Sequence, residues 1–207
     1  IELAKAPVSR KIAFLALIGL LALALWPVLA FPVPPLEDYP NHLARMHIIA
    51  SLPGNADLAR FYEVNWGIVP NLAMDILVPP LVPLIGVFAA GQLFTALTLV
   101  SIATGTMALG RSLFHRWTVA PLFGLAFFYN GLLLIGSLNY LLGIGLALWG
   151  LAAWIHLRER RPAKRLVVAA VFVVAQFFCH LFAVGLFGLG LLAFEIMRYR
   201  QDRELAI

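Results

Sequence analysis

The sequence is poor in cysteine and poor in charge, and each shortage excludes something. A single cysteine, Cys179, cannot close an intrachain disulfide. It also rules out a cysteine-rich metal site and reads as a small core residue. Charged residues make up only 12% of the 207, against about 25% in soluble domains. So few charges cannot cover a water-facing surface, which excludes an ordinary soluble domain. A hydrophobic share of 62% and a mean hydropathy of +0.93 exclude a disordered or collagen-like chain. There is no Walker loop, no Gly-x-Gly-x-x-Gly and no Gly-x-Ser-x-Gly, so a soluble-type nucleotide site has no support. No His-Glu-x-x-His occurs, and the five-residue spacing of His42 and His47 suits one helix face poorly, so a zinc site is excluded as well. The net charge of +5 reads as Lys and Arg held on the cytoplasmic side of a membrane rather than as a nucleic-acid surface.

What is present is long apolar runs. No Asp, Glu, Lys or Arg occurs in 12–36, 76–110, 117–157 or 166–194. Each run exceeds the roughly 20 residues that cross a bilayer core. The expected fold is an all-α integral membrane protein, a single transmembrane domain over 1–207 in contact with membrane lipids. The chain begins at Ile1 and stops after a basic turn, so it reads as the N-terminal part of something longer.

The run lengths do not divide evenly into spans, and the charges between them set the topology. Lys5, Arg10 and Lys11 put the N-terminus in the cytoplasm, with a first span over 12–31. The outer loop 32–75 is acidic, with Glu37, Asp38, Asp57, Glu63 and Asp75 against Arg45 and Arg60. Within it, 41–52 reads as a helix lying on the membrane surface. Leu43, Met46, Ile49 and Ala50 form its stripe, and Arg45 lies to one side. Pro79, Pro80 and Pro83 oppose a regular helix, so 72–88 is expected as a surface or re-entrant segment and 89–110 as the second span. Spans over 118–135 and 138–157 follow, broken where Tyr129-Asn130 and Gly136 to Tyr140 collect polar residues. The last run is too long for one span, about 44 Å as a helix against a core of about 30 Å. Two short helices, 166–179 and 181–196, keep the C-terminal arginines on the side of the other cations. The total is about six spans.

The densest polar cluster is Glu37-Asp38-Tyr39-Pro40-Asn41-His42, just past the first span. Asp38 and Asn41 either cap the following helix, or Asp38 and His42 face a site at the bilayer surface. A carboxylate there could take a proton from a hydroxyl or bind a cation. Asp75 is either an exposed interfacial charge or part of that same outer site. His180 is the only ionisable group besides Cys179 in the last run. It is either a neutral, hydrogen-bonded histidine or, at an outer turn, a contact for a phosphate. Asn139 and Tyr140 fall at the other outer turn. Gly143 with Ala147, and Gly185, Gly188 and Gly190, read as points of close helix approach. Trp117, Trp149 and Trp154 read as belt or packing residues.

This layout resembles the GT-C superfamily of membrane glycosyltransferases, which use polyprenyl-phosphate sugars. The residues that carry the resemblance are Leu36 to His42 after the first span, the Pro-rich Val78 to Leu84, and Gly110-Arg111-Ser112-Leu113-Phe114. The Tyr129-Asn130 break and the short helix pair around His180 complete it. The resemblance implies transfer of a sugar from a polyprenyl-phosphate donor at the periplasmic face of a bacterial inner membrane. It implies Asp38 as general base on the acceptor hydroxyl, or as ligand to a divalent cation. It also implies electrostatic support from Glu37 and acceptor orientation by His42. His180 would lie near the lipid phosphate, with Arg45 as the alternative partner. Two rival readings are a non-catalytic membrane scaffold or assembly protein and a transporter or flippase fragment. The transporter reading calls for polar residues at mid-membrane depth and an internal repeat.

Overall fold

Ser9 starts the first long helix: its side-chain oxygen accepts from the Ile12 amide at 3.2 Å, and α1 runs from there as Arg10–Ala30. The computed structural model describes residues 7–158 and 162–204. Lys5 and residues 159–161 lie outside the described residues. Among the described residues the chain is all-helical, with one isolated bridge between Pro7 and Thr118. Five helices among them are long and apolar enough to cross a membrane.

After α1 comes α2, Tyr39–Ser51, starting two residues before the expected boundary. Leu43 and Met46 of the expected stripe are buried, Ile49 and Ala50 are half-buried, and Tyr39, outside that stripe, is buried too. Helix α2 packs on the helix over 82–114, where Gly91 leaves room for it. A Cβ at Gly91 would meet both the Tyr39 hydroxyl and Leu43 Cδ2 at 2.6 Å. The expected surface segment 72–88 is a set of short pieces: α3, Ala73–Leu77, then a 3-10 turn, Pro79–Leu81. Helix α4, Val82–Phe114, breaks at Gly86, whose φ of 78° no ordinary helix residue adopts. The expected span 89–110 lies wholly inside the regular part. That part ends where His115 turns left-handed at φ 54°.

The region 118–135 departs from expectation, for it holds no helix of span length. It consists of α5, Ala120–Phe123, a 3-10 turn, Gly124–Phe127, and α6, Gly131–Ile135. The reason is local. The Asn130 side chain accepts from the amides of Leu132 and Leu133 and so starts a new helix. Gly136, at φ 91°, then ends it after five residues. Composition sees only an apolar run here. The broken segment nevertheless follows α1 along its length. The Val8 amide donates to Trp117 O at 3.0 Å near the start of α1, and Tyr129 Oη donates to Ala24 O at 2.7 Å further along. Beyond the end of α1, the Glu37 and Asp38 amides donate to Leu134 and Ile135 O at 2.8 and 3.0 Å.

Helix α7, Leu138–His156, fits the expected span and packs most extensively on α4. Gly105 and Gly145 allow the approach: Cβ atoms there would fall 2.9 Å from Leu148 and 2.5 Å from Ser101. The last run does divide in two, into α8, Pro162–Cys179, and α9, Leu181–Glu204, with His180 alone between them. The two are antiparallel, because Arg165 near the start of α8 pairs with Glu195 far along α9. Gly143 packs under this hairpin against Ala183 and Cys179, and Gly190 packs against Leu151. Gly185 and Gly188 do not serve close approach, for nothing lies within 4 Å of a Cβ at either. Cys179 is a buried core thiol, as expected.

The surface is apolar where a soluble protein would be polar. Leu15, Ile18, Leu23 and Trp26 on α1 point outward, as do Val167, Val171 and Val174 on α8. Such a broad apolar exterior calls for lipid around it.

Candidate functional site

The turns at one end of the bundle converge, and they converge through the backbone. The 37–38 amides bond the end of α6. The Leu72 amide donates to Phe178 O at 2.7 Å, tying the loop before α3 to the end of α8. Asn139, in the first turn of α7, joins these pieces. Its Oδ1 accepts from the Met74 amide at 2.9 Å, and its Nδ2 donates to Asn71 O and Oδ1 at 2.9 and 3.0 Å. A buried amide with both ends satisfied holds its neighbours in place. Asn139 therefore fixes the site rather than offering free hydrogen bonds to a ligand.

The result is a cavity of about 410 Å³ at this end. Asp38 and His42 line it from the first loop and α2, Asn139 and Tyr140 from α7, and His180 from the α8–α9 break. The expected alignment of Asp38 with the two polar breaks is thus what the fold builds. Asn71, Ser137 and Phe182 also line it. Asn71, which was not singled out from the sequence, adopts a left-handed φ of 70°.

Asp38 precedes α2 but does not cap it, because its side chain makes no cap hydrogen bond. The capping alternative therefore fails, and the carboxylate stays available. Gly136 packs against it: a Cβ there would lie 3.3 Å from Asp38 Cβ. His42 Nε2 lies 3.2 Å from Gly136 O. A carbonyl only accepts, so Nε2 carries the hydrogen and Nδ1 is left as an acceptor. His180 has the opposite arrangement. Its Nδ1 accepts from the Phe182 amide at 3.2 Å, so a neutral ring keeps its proton on Nε2, a donor. The ring stacks on Phe182 and meets Tyr140 edge-on, with centroids 5.6 and 5.3 Å apart. The cavity thus offers a free carboxylate, one imidazole acceptor and one imidazole donor. Beneath it, burial pushes the Tyr39 phenol up to about 12, so Tyr39 stays a neutral packing residue.

Three of the expected residues lie elsewhere. Glu37 is exposed and does not line this cavity. Asp75 is not an exposed charge: it is 4% exposed and paired with Arg45, Nε to Oδ1 2.6 Å. That pair lines a second cavity, on another face of α2. Arg45 is thus committed to a carboxylate.

Among the described residues, no three His, Cys, Asp or Glu side chains gather closely enough to hold a metal ion. Asp38 is the one carboxylate lining this cavity, and no step is assigned to a metal ion. No protein family, curated protein or solved structure matches the chain.

Proposed function

We propose that this chain is a multi-pass membrane protein that transfers a sugar from a polyprenyl-phosphate donor to an acceptor hydroxyl at the outer membrane face. The observation that carries the reading is the gathering of Asp38, His42, Tyr140 and His180, from three separate parts of the chain, around one cavity. The GT-C resemblance contributes the substrate class.

The chemistry would use what each group can do. The Asp38 carboxylate takes the proton of the acceptor hydroxyl as its oxygen bonds to the anomeric carbon. The bond from that carbon to the phosphate oxygen breaks, and polyprenyl phosphate leaves. The His180 Nε2–H donates to a phosphate oxygen and stabilises the charge that develops there. The His42 Nδ1 accepts a hydrogen bond from the acceptor and orients it.

The reading also assigns the broken segment 118–135 as a sixth crossing. What supports it is the run of contacts from Val8 to Asp38 along α1. Helix α4 packs against α5 and the 3-10 turn after it, and α7 against α6, so protein backs this irregular backbone on one side. With the Arg10 end in the cytoplasm, an even number of crossings brings Arg198 and Arg200 back to that side.

The test is a proteoliposome assay with the full chain and a panel of undecaprenyl-phosphate hexoses and pentoses. Release of undecaprenyl phosphate that depends on added acceptor and disappears in Asp38→Asn supports the reading. Release from no donor in the panel, or equal release by Asp38→Asn, overturns it. Unchanged envelope glycans in cells carrying Asp38→Ala at normal protein level would favour the scaffold instead.

A further inference from the structure

The second cavity, about 490 Å³, has α2 as one wall and the loop over 62–66 as another. Its volume falls within the roughly 300–1,000 Å³ of small-ligand sites. Two large rings stand open in it: Trp66 is 60% exposed and Tyr62 49%. Around them are polar groups without a surplus of positive charge. Arg45 is neutralised by the buried Asp75, and Glu63 adds a further carboxylate. The lining therefore carries a net negative charge and disfavours a phosphate. Asn65 Nδ2 donates to Glu63 Oε1 at 2.7 Å, which holds the amide in one orientation. Asn41 supplies a second amide from α2.

Open aromatic faces beside amides and a carboxylate match one ligand chemistry well. A sugar ring has an apolar C–H face that lies flat on an aromatic ring, and an edge of hydroxyls that amides and carboxylates can bond. A quaternary ammonium would use the rings and the negative charge but would leave both amides unused. We propose that this cavity binds a neutral sugar of a glycan, with Trp66 and Tyr62 as platforms and Asn41, Asn65 and Glu63 as hydroxyl partners. The inference rests on the sugar-transfer reading only for calling that glycan the acceptor. The two cavities share α2, with His42 on one and Asn41 on the other, and they divide Asn71 and Leu72 between them in the same way.

The experiment is saturation-transfer NMR on the full chain in lipid nanodiscs. The probes are short neutral oligosaccharides of glucose, galactose and mannose, with choline and inorganic phosphate as comparison probes. At least one neutral oligosaccharide is expected to bind. Trp66→Ala should weaken it about tenfold or more, and Asp38→Asn should leave it unchanged. Because Trp66 is largely exposed, its variant should elute and melt like the wild type. No binding of any neutral oligosaccharide, equal binding by Trp66→Ala, or binding of choline or phosphate alone overturns the inference. If oligosaccharides bind as expected while Asp38→Asn keeps full transfer activity, the glycan site stands and the catalytic reading falls.

Discussion

The α8–α9 hairpin and the Asp38 cavity handle charge in opposite ways. In the hairpin, Arg165 stacks on Trp154 at 3.5 Å, donates to the Trp154 carbonyl and pairs with Glu195. Trp154 Nε1 donates to the same carboxylate at 2.8 Å, and Arg158 lies 3.5 Å from Asp202. Each of these charges has a named partner. At the cavity, the Asp38 carboxylate caps nothing, and two histidines each present one uncommitted nitrogen. Ion pairs and the Trp154 contacts stabilise the hairpin, with Arg158 Nη1 alone among these arginine groups buried without a hydrogen bond. Asp38 is exposed, so water satisfies its carboxylate and leaving it unpaired costs little stability. The difference separates charges that hold the fold from charges available for chemistry.

Mutations should separate the two by what they change. The largest stability loss is expected at a residue that belongs to the cavity by position but to the scaffold by bonding. Asn139→Leu removes three hydrogen bonds and leaves the Met74 amide buried without a partner. We expect a loss of about 3 kcal/mol, read as a lower Tm in detergent. If Asn139→Leu melts like the wild type, the cavity end is not held together as described. Next is Arg165→Ala, which leaves Glu195 without its main partner. Glu195 is over a third exposed, so the loss is put at about 2 kcal/mol rather than the larger figure for a fully buried pair. Arg165→Ala combined with Glu195→Gln should recover part of it. Gly136→Ala forces a Cβ onto a residue at φ 91° and against Asp38. A loss of about 1 kcal/mol is expected, together with loss of cavity function. Asp38→Asn should change stability least, by less than about 0.5 kcal/mol.

How far the sequence carried these conclusions differs from element to element. Charge-free runs located four of the five long helices closely, because lipid-facing helices need little beyond length and apolarity. The split at His180 was legible because one helix would have carried Arg198 and Arg200 away from the other cations. The stripe of α2 was legible from its period. The interruption of 118–135 was not. Its cause is a side-chain cap at Asn130 and a left-handed glycine at Gly136, and hydropathy is blind to both. At the site, Asp38, His42, Asn139, Tyr140 and His180 could be named because polar residues are costly near lipid and all fell at one face. The division of labour among them was hidden. Nothing in the spacing says that Asn139 is fully bonded to 71–74, or that Arg45 reaches Asp75 thirty positions on. Those facts belong to tertiary packing.

The central claim is that Asp38 is kept unpaired for chemistry and not for folding. The direct measurement is Asp38→Asn in the full chain, reading Tm and acceptor-dependent release of undecaprenyl phosphate from the same preparation. The account predicts an unchanged Tm and a fall in release of about 100-fold or more. Full release at an unchanged Tm, or a large drop in Tm, would contradict it.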